Sequence, residues 1–194
     1  MKRSTLIEFL KNRLDDDVIK YDHGIEKIEV KNQQISLNFN KNQNLIYDHL
    51  IISDGVFSKG KSIVSSNKNE ATYNNCIAIR GNISKNNIDN INEKNISLFV
   101  GSNFHYVIYP VDQITNTLNF IGILKYNLTL NELNNYSLFN DQGFMTNIKN
   151  NLNKKISSNM SSNINNIKCF PIFVSKDFYK PPKNINLISD AFFV

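Results

Sequence analysis

Apolar residues near the start of the chain recur with the spacing of a helix. Thr5 followed by Glu8 fits a capping box near the start of this helix. Four apolar residues lie three or four positions apart and therefore share one helix face: Leu6, Phe9, Leu10 and Leu14. The pattern predicts an amphipathic helix that ends around residues 15–17.

An alternating pattern follows the helical one. Residues 28–30 alternate between apolar and polar, Lys31-Asn32 is typical of a turn, and the apolar positions of 35–39 alternate strictly. Such alternation is typical of strands with one buried face. Residues 41–44 predict a polar loop. Residues 49–53 are apolar without alternation, which predicts a strand that is covered on both faces.

The rest of the chain is rich in short apolar runs. Strands are predicted at 76–80, 96–100, 104–109, 117–124, 168–174 and 185–188. The stretch 128–157, rich in Asn and Leu, predicts helices with loops, and residues 143–155 give the best helix within it. Residues 65–70 are typical of a linker. The order of these elements predicts an α/β chain with a β-rich middle part.

The composition is that of a globular protein. Hydrophobic residues make up 41% of the 194 residues and charged residues 20%, which is too apolar for a disordered chain. No apolar run reaches about 18 residues, so we expect no transmembrane segment. Met1-Lys2-Arg3-Ser4 is not followed by the apolar block of a signal peptide, which predicts a cytoplasmic location. Peripheral association with a membrane is compatible with the sequence.

The net charge of +5 suggests a nucleic-acid partner, but the distribution of charge argues against one. The positive residues are mostly scattered lysines, and the arginines are Arg3, Arg13 and Arg80. No basic block alternates with aromatic residues, so a basic binding module has no supporting motif. About a sixth of the residues are Asn, with Lys and Ile also abundant, and an AT-rich genome is the simplest cause. We predict no nucleic-acid partner.

The cysteines and histidines favour neither a disulfide framework nor a metal site. Cys76 and Cys169 each lie in an apolar, strand-like run, which predicts two reduced and buried thiols. His23, His49 and His105 lack a metal-ligand spacing such as His-x-x-x-His. We therefore predict no structural metal.

The strongest candidate for chemistry follows the apolar run at 49–53. A buried strand there delivers Asp54 and Gly55 to the carboxyl end of a sheet, where α/β folds place their ligands. Gly55 permits a sharp turn and the close approach of a phosphate to the backbone. Ser58 and Lys61 follow at positions where a hydroxyl and a cation can hold an anion. The alternative is a common Asp-Gly turn that only ends a strand.

This stretch resembles a fingerprint of the FAD-dependent aromatic hydroxylases, also called class A flavoprotein monooxygenases. The family pattern is a strand followed by Ala-Asp-Gly-x-x-Ser-x-x-Arg. The chain has Ser53-Asp54-Gly55-Val56-Phe57-Ser58-Lys59-Gly60-Lys61, in which the Asp, the Gly and the second Ser match. Lys61 replaces the arginine, which keeps the charge but loses the bidentate fork.

Three further stretches resemble the family in the same order. Ile79-Arg80-Gly81, after Tyr73, is similar to a Trp-Arg-Gly strand. Residues 101–111 are similar to the hairpin Gly-Pro-x-x-His-x-Val-x-Tyr-Pro-Val of the substrate domain. Residues 184–193 are similar to the closing motif Asn-Val-x-Leu-Ile-Gly-Asp-Ala-Ala-His. The aspartate of that motif binds the ribityl chain of the flavin, so the resemblance implies this role for Asp190.

The resemblance implies further site residues. Arg3 begins the pattern Arg-x-x-Leu-x-x-x-Leu and matches an arginine that lies near the flavin in relatives. His105 and Tyr109 lie on one side of an alternating strand, where they either face the substrate ring or pack in an aromatic core. No side chain is an obvious acid–base catalyst, which suits chemistry carried by a cofactor. The implied cofactor-binding set is Asp190, Asp54, Gly55, Arg3, Ser58 and Lys61.

Other parts of the family pattern are absent. Ser189 replaces the glycine of the closing motif and Phe192-Phe193 replaces Ala-His. The chain has neither the Gly-x-Gly-x-x-Gly that follows the family's first strand nor the helix after the closing motif. The resemblance therefore predicts an internal piece of a hydroxylase. A partial FAD-binding, Rossmann-like domain is expected at 1–66 and 181–194, with a β-rich substrate-binding domain inserted at 67–180.

The resemblance also implies the activity of the whole enzyme. NAD(P)H reduces FAD, O2 reacts with the reduced flavin, and a small aromatic substrate is hydroxylated. Because the family includes the ubiquinone-biosynthesis hydroxylases, a phenolic ubiquinone precursor is the first expectation for the substrate. The alternative is a non-catalytic remnant or a fragment that acts only with a complementary chain. We expect the chain alone to bind FAD weakly or not at all.

Overall fold

Two compact units make up the chain. The larger unit comprises Met1–Lys11 and Asn75–Ile172, and the smaller unit comprises Asn12–Asn74 and Phe173–Val194. The mixture of helices and strands confirms the predicted α/β class. The structure, a computed structural model, describes residues 3–40, 43–65, 71–85, 91, 94–111, 117–175 and 179–191.

The described residues form helices and strands in the following order. The helices are α1 (Arg3–Lys11), α2 (Lys59–Ser65), α3 (Leu130–Leu133), α4 (Gln142–Asn153) and α5 (Ser158–Ser162). The strands are β1 (Ile25–Lys31), β2 (Gln34–Phe39), β3 (Asn44–Tyr47), β4 (Leu50–Ile52), β5 (Ala71–Ser84), β6 (Ser97–Gly101), β7 (Phe104–Pro110), β8 (Thr117–Lys125), β9 (Ile164–Ser175) and β10 (Ile185–Leu187). Short 3-10 helices cover Tyr136–Asn140 and Ser189–Ala191. Each predicted strand overlaps one of these strands, and the helix predicted at 143–155 overlaps α4.

A five-stranded sheet with the order β6-β7-β8-β5-β9 dominates the larger unit. The strands β6, β7, β8 and β5 pair antiparallel with their neighbours. One face of the sheet is buried, with Phe104 5% exposed and Ile108 and Phe120 fully covered. Helix α4 buries one side chain per turn, because its apolar residues recur every four positions: Phe144, Ile148 and Leu152.

The smaller unit combines an antiparallel sheet, in the order β1-β2-β3, with the parallel pair β4 and β10. A two-residue turn at Asn32 and Gln33 joins β1 to β2, and both residues have a positive φ, as a type I′ turn requires. The alternation at 35–39 places three β2 side chains in one core with both parallel strands. This core comprises Ile35, Leu37, Phe39, Ile52, Ile185, Leu187 and Ala191.

Several sequence expectations are wrong in detail. Helix α1 already includes Arg3 and ends at Lys11, so Thr5 lies inside the helix and cannot cap it. Ile51 is 63% exposed, because in the described part of the chain β4 has a covering layer on one face only. Cys169 is buried as predicted, whereas Cys76 is only half-buried.

Other expectations fall in different places from those predicted. Strand β3 begins at Asn44, inside the predicted loop, and α2 was not anticipated. The structure groups α1 with the larger unit, although the prediction placed residues 1–66 together. The predicted domains are defined by what they bind and stay predictions. Most of the linker, residues 66–70, and the pair Phe192-Phe193 lie outside the described residues.

Asparagine occupies many of the left-handed backbone positions. Within the described residues, seven non-glycine residues have a positive φ, and Asn is the commonest residue among them. Asn tolerates this region better than most residues because its short amide can bond locally. The asparagines concerned are Asn32, Asn75, Asn103 and Asn166. Among the described helices, none combines the length and apolar character needed to cross a bilayer.

Candidate functional site

The parallel pair of strands in the smaller unit brings Asp54 and Asp190, the two predicted aspartates, to the same end of the pair. Ile52 of β4 is in register with Leu187 of β10, and the Ile188 N–H donates to the Ile52 carbonyl at 3.0 Å. Asp54 follows β4 by two residues and Asp190 follows β10 by three. Both side chains are exposed. Because the strands run parallel, both carboxylates lie at the carboxyl end of the pair, where α/β sheets bind ligands.

The loop after β4 is closed by its own hydrogen bonds. Asp54 Oδ2 accepts from the Gly60 N–H at 2.8 Å, so its carboxylate bridges the turn to the first residues of α2. Gly55 has φ +88°, a conformation that costs an L-residue strain, and its carbonyl accepts from the Ser58 N–H at 3.0 Å. The Asp-Gly sequence therefore builds a fixed turn and leaves Asp54 exposed beside it.

Ser58 and Lys61, predicted to hold an anion, lie inside the smaller unit. Ser58 is fully covered and its Oγ accepts from the Lys61 N–H at 2.8 Å, which makes Ser58 the N-cap of α2. Lys61 is 2% exposed and its Nζ donates to Ser175 Oγ at 2.8 Å. These contacts shape the loop, and a contact of either residue with a cofactor stays a prediction.

Gly60 is a site residue that sequence reasoning missed. A Cβ at this position would lie 2.8 Å from Ile52 Cγ2 and 3.4 Å from Asp54 Oδ2. The absent side chain thus lets the first turn of α2 approach β4 closely enough for the Gly60 N–H to reach Asp54. A glycine two residues after Ser58, itself a favoured N-cap residue type, was the available signal.

Asp190 lies in a tight turn after β10. Ser189 precedes it with φ +54°, and Ala191 follows it with 1% exposure. The left-handed backbone at Ser189 gives a physical reason for the glycine at this position of the closing motif that this stretch resembles. Because Ala191 is buried, the turn is anchored on one side and presents the Asp190 carboxylate on the other.

The larger unit presents an open sheet face that carries His105 and Tyr109. The two residues alternate with buried Phe104 and Ile108, which confirms that they share one side of the strand. His105 is exposed, so it does not pack in an aromatic core. Asn119 lies on β8, in register with Tyr109 of β7. Its Nδ2 donates to the Tyr109 hydroxyl oxygen at 2.7 Å.

Arg80 lies on the same open face. Its register partner Ile121 pairs in turn with Val107, so the three side chains form one row across β5, β8 and β7. The Arg80 guanidinium lies over the Phe170 ring, 5.5 Å from its centroid. The open face thus combines the apolar side chains of Ile121 and Val107 with the polar side chains of Arg80, His105 and Tyr109.

Cys169 and Tyr106 of the larger unit are not suited to proton transfer near pH 7. Burial raises the pKa of Cys169 to about 12, and burial also raises the pKa of Tyr106. Both groups are therefore neutral near pH 7. Within the described residues, no group of three His, Cys, Asp or Glu side chains is placed to hold a metal ion.

The predicted site residues fall into two sets. The smaller unit holds the Asp54 loop and Asp190, whereas the larger unit holds His105 and Tyr109. Arg3 lies exposed in the first turn of α1, which also belongs to the larger unit. The structure brings the members of the first set together and places Arg3 in the other unit.

Comparison with known proteins gives matches in structure only. No family model matches the sequence, and no curated protein matches it. Klebsiella pneumoniae HpxO, solved with FAD and uric acid, matches with a TM-score of 0.72 and 15% identity. The 2,6-dihydroxypyridine-3-hydroxylase of Arthrobacter nicotinovorans matches with a TM-score of 0.76 and 12% identity. A salicylate hydroxylase solved as a substrate complex matches with a TM-score of 0.72 and 14% identity.

These matches span the whole of this chain but only part of the other proteins. The chain is covered over 100%, 98% and 98% of its length, and the three proteins over 48%, 54% and 50% of theirs. Identities this low support a shared fold rather than a shared substrate. The chain therefore has the fold of the FAD-dependent aromatic hydroxylases across about half of their length.

Proposed function

We propose that this chain is part of an FAD-dependent monooxygenase that hydroxylates a small aromatic compound. The observation that carries the proposal is the placement of two exposed carboxylates, Asp54 and Asp190, at the carboxyl end of the parallel pair β4 and β10. The fold supports it, because the matching structures include a protein solved with FAD and two named aromatic hydroxylases.

The residues of the smaller unit fit a flavin nucleotide. An exposed carboxylate such as that of Asp190 accepts hydrogen bonds from hydroxyl groups, which are the groups of a ribityl chain. Apart from Gly55 and its two chain neighbours, no heavy atom of the described residues lies within 4 Å of the position that a Cβ of Gly55 would occupy, so a ligand has room to approach this backbone. Ser58 and Lys61 hold the loop, and Asp54 and Asp190 would contact the cofactor.

FAD, contacted by Asp54 and Asp190, would supply the redox chemistry of a monooxygenase, in which NAD(P)H and O2 are consumed and the hydroxylated ring and water are formed. The chain's own share is binding and orientation. On the open face of the larger unit, Val107 and Ile121 offer an apolar surface for a ring. His105 and the Tyr109–Asn119 pair offer polar contacts for its substituents. A phenolic ubiquinone precursor is the first candidate substrate, on the sequence resemblance alone.

A titration of FAD with the purified chain tests the proposal. We expect weak, saturable quenching of flavin fluorescence, because the chain spans about half of the fold. Asp190→Asn should weaken binding by about tenfold, as expected for the loss of a charged hydrogen-bond acceptor. Asp16→Asn, which makes the same charge change at an exposed turn, is the matched control. Equal binding by the wild type and Asp190→Asn would contradict the role of Asp190.

A second candidate is a fragment that acts only with a further polypeptide, or a non-catalytic remnant. Its supporting observation is the exposure of large apolar side chains that globular proteins usually cover: Phe9 is 48% exposed, Leu10 53% and Ile51 63%. The same titration separates the two candidates. Complete absence of FAD binding by a folded chain favours the second one.

A further inference from the structure

The two edges of the five-stranded sheet differ in how they are protected. Among the described residues, β6 and β9 are the outer strands of this sheet. Strand β9 carries features that prevent edge-to-edge pairing: the exposed Lys168, Pro171, and Asn166, whose φ of +54° interrupts the regular strand. Residues 95–104, by contrast, contain no charged residue and no proline, and β6 pairs with β7 without a register shift. Strand β6 therefore lacks the protection that the opposite edge has.

The turn between β6 and β7 identifies the backbone groups at the outer edge of β6. Gly101 and Phe104 flank a two-residue turn, so these two residues exchange backbone hydrogen bonds. In an antiparallel pair, hydrogen-bonded residues alternate with residues whose N–H and carbonyl groups point away from the partner strand. Gly101 and Phe99 therefore bond to β7, whereas the N–H and carbonyl groups of Leu98 and Val100 point outward.

The side chains of β6 are apolar on both faces of the sheet. Leu98 is 61% exposed and Val100 is 80% exposed, and both lie on the open face, in register with Val107 and His105. Phe99 lies on the other face, where its ring stacks on an aromatic ring of β7 with 4.5 Å between the centroids. Exposed apolar side chains and outward backbone groups thus occur in the same strand, as in strands that bind another strand.

We propose that β6 pairs with β6 of a second copy of this chain, antiparallel and around a two-fold axis at Phe99. In this register Leu98 of each copy lies opposite Val100 of the other, and in each of these pairs both backbone hydrogen bonds form. Ser97 lies opposite Gly101 at either end of the contact. Because β6 contains no charge, like charges do not meet. Strand β6 is therefore complementary to itself in hydrogen bonds, side chains and charge.

This pairing joins the open faces of the two copies. A two-fold axis that relates neighbouring antiparallel strands runs perpendicular to the sheet, so the equivalent faces lie on the same side. Leu98 of the second copy then lies beside Val100, which is in register with His105. Each copy thus contributes an apolar side chain to the surface next to His105 of the other.

Sedimentation of the full chain over a range of concentrations tests the proposal. Two five-residue strands bury less surface than a stable complex does, so we expect a monomer–dimer equilibrium with a Kd of about 10–100 μM. Leu98→Lys places a charge against an apolar side chain of the second copy and should weaken dimerisation at least about tenfold. Leu130→Lys, at a leucine 78% exposed in α3, is the matched control and should leave the Kd unchanged.

Three results of this experiment would overturn the proposal. A chain that stays monomeric up to about 1 mM would leave β6 to a different polypeptide or to none. Equal weakening by Leu98→Lys and Leu130→Lys would mean that the copies meet elsewhere. Assemblies larger than a dimer would contradict it as well, because two copies of one edge close on each other.

A mixture of two variants tests the register of the strands. Val100→Asp alone should weaken dimerisation as Leu98→Lys does. When the two variants are mixed, the lysine of one copy lies opposite the aspartate of the other, so we expect dimers to form again. A mixture that sediments as monomers would show that Leu98 and Val100 do not face each other, and the proposed pairing would be wrong.

Disulfide formation locates the two-fold axis. Phe99 faces its equivalent in a non-hydrogen-bonded pair, with Cα atoms about 4.5 Å apart, so Phe99→Cys should give a cross-linked dimer under mild oxidation. Ser97→Cys, on the same face, lies about 14 Å along the strand from its equivalent and should not cross-link. The wild-type chain is the control for Cys76 and Cys169. Equal cross-linking of the two variants would rule out an axis at Phe99.

Discussion

The sheet of the larger unit and the parallel pair of the smaller unit obtain their partners in different ways. Strands β6, β7 and β8 follow one another in the chain and pair as antiparallel neighbours. Strands β4 and β10 pair across more than a hundred residues, at Leu50 and Ile185. Antiparallel hairpins need only a turn, whereas parallel strands need a long connection. Among the described residues, the first kind of sheet has five strands and the second kind has two.

This difference bears on what each unit contributes. The antiparallel sheet has a buried core on one face and carries His105 and Tyr109 on the other. The Asp54 loop and Asp190 follow a parallel pair whose strands are three residues long each, Leu50–Ile52 and Ile185–Leu187. The comparison therefore predicts that the larger unit is robust and that the smaller one gains most from added partners.

The largest change in the free energy of unfolding is expected when a covered side chain of the larger unit is removed, in comparison with an exposed one of the smaller unit. Phe120→Ala removes a fully covered ring from the larger unit and should lower the free energy of unfolding by about 3–5 kcal/mol. Ile51→Ala, at a residue 63% exposed in β4, should change it by less than about 0.5 kcal/mol. Urea unfolding followed by circular dichroism measures both. A large loss for Ile51→Ala would break the comparison, since it would mean that Ile51 is covered in solution.

Gly60→Ala tests the close approach of α2 to β4. The added methyl would lie 2.8 Å from Ile52 Cγ2, and such overpacking should cost about 1–3 kcal/mol, more than the gain in helix propensity. In the Ile52→Ala background the same change should cost much less, because the clashing atom is gone. Additive losses in the double variant would show that the two residues do not touch.

One helix cap from each unit allows the units to be compared. Ser58 caps α2 from a buried position, whereas Thr129 caps α3 from the surface through a capping box with Glu132. Ser58→Ala should cost about 1–2 kcal/mol and Thr129→Ala about 0.5 kcal/mol. Thermal unfolding of the two variants checks the order. An equal or reversed order would mean that burial of the Ser58 cap adds nothing to the loop.

The smallest effect on stability is expected for the two cysteines. At neutral pH they should differ in their rate of chemical labelling and not in their effect on the free energy of unfolding. Cys76 is half-buried and should react with iodoacetamide near pH 8, whereas Cys169 should not. Because burial raises the pKa of Cys169 from 9.0 to about 12, its stabilising contribution is complete below pH 9 and is lost as the pH rises towards 12. Faster labelling of Cys169 than of Cys76 in the native protein would contradict this assignment.

Local patterns in the sequence predicted much of the fold. The alternation at 35–39 predicted which side chains of β2 turn inward, because burial on one face enforces period two. At 104–109 the sequence predicted the strand, which is β7 in the structure. The continuous apolar run at 49–53 correctly predicted a strand. It could not show that Ile51 lies uncovered, because covering depends on elements that other parts of a fold supply.

The sequence predicted those features of the candidate site that depend on residues adjacent in the chain. The turn at Gly55 follows from the Asp-Gly sequence, and its positive φ agrees. Lys61 lies buried against Ser175, which is 114 residues away in the chain, and its expected contact with an anion stays a prediction. No local pattern reveals such a partner. The role of Ser58 as an N-cap could have been predicted, since Ser is a favoured N-cap residue. The helix itself was missed because glycine, here in the first turn of α2, has a low helix propensity.

The asparagines with a positive φ show that the chain's high Asn content has a structural use. A genome that drifts towards A and T gains Asn codons and loses Gly codons, and this chain has only 7 glycines. Hairpins such as those at Asn32 and Asn103 still need residues that accept a positive φ, and Asn is the next most tolerant residue after Gly. Base-composition drift can thus replace turn glycines without dismantling the sheets, and the same substitution route is open to other proteins under this bias.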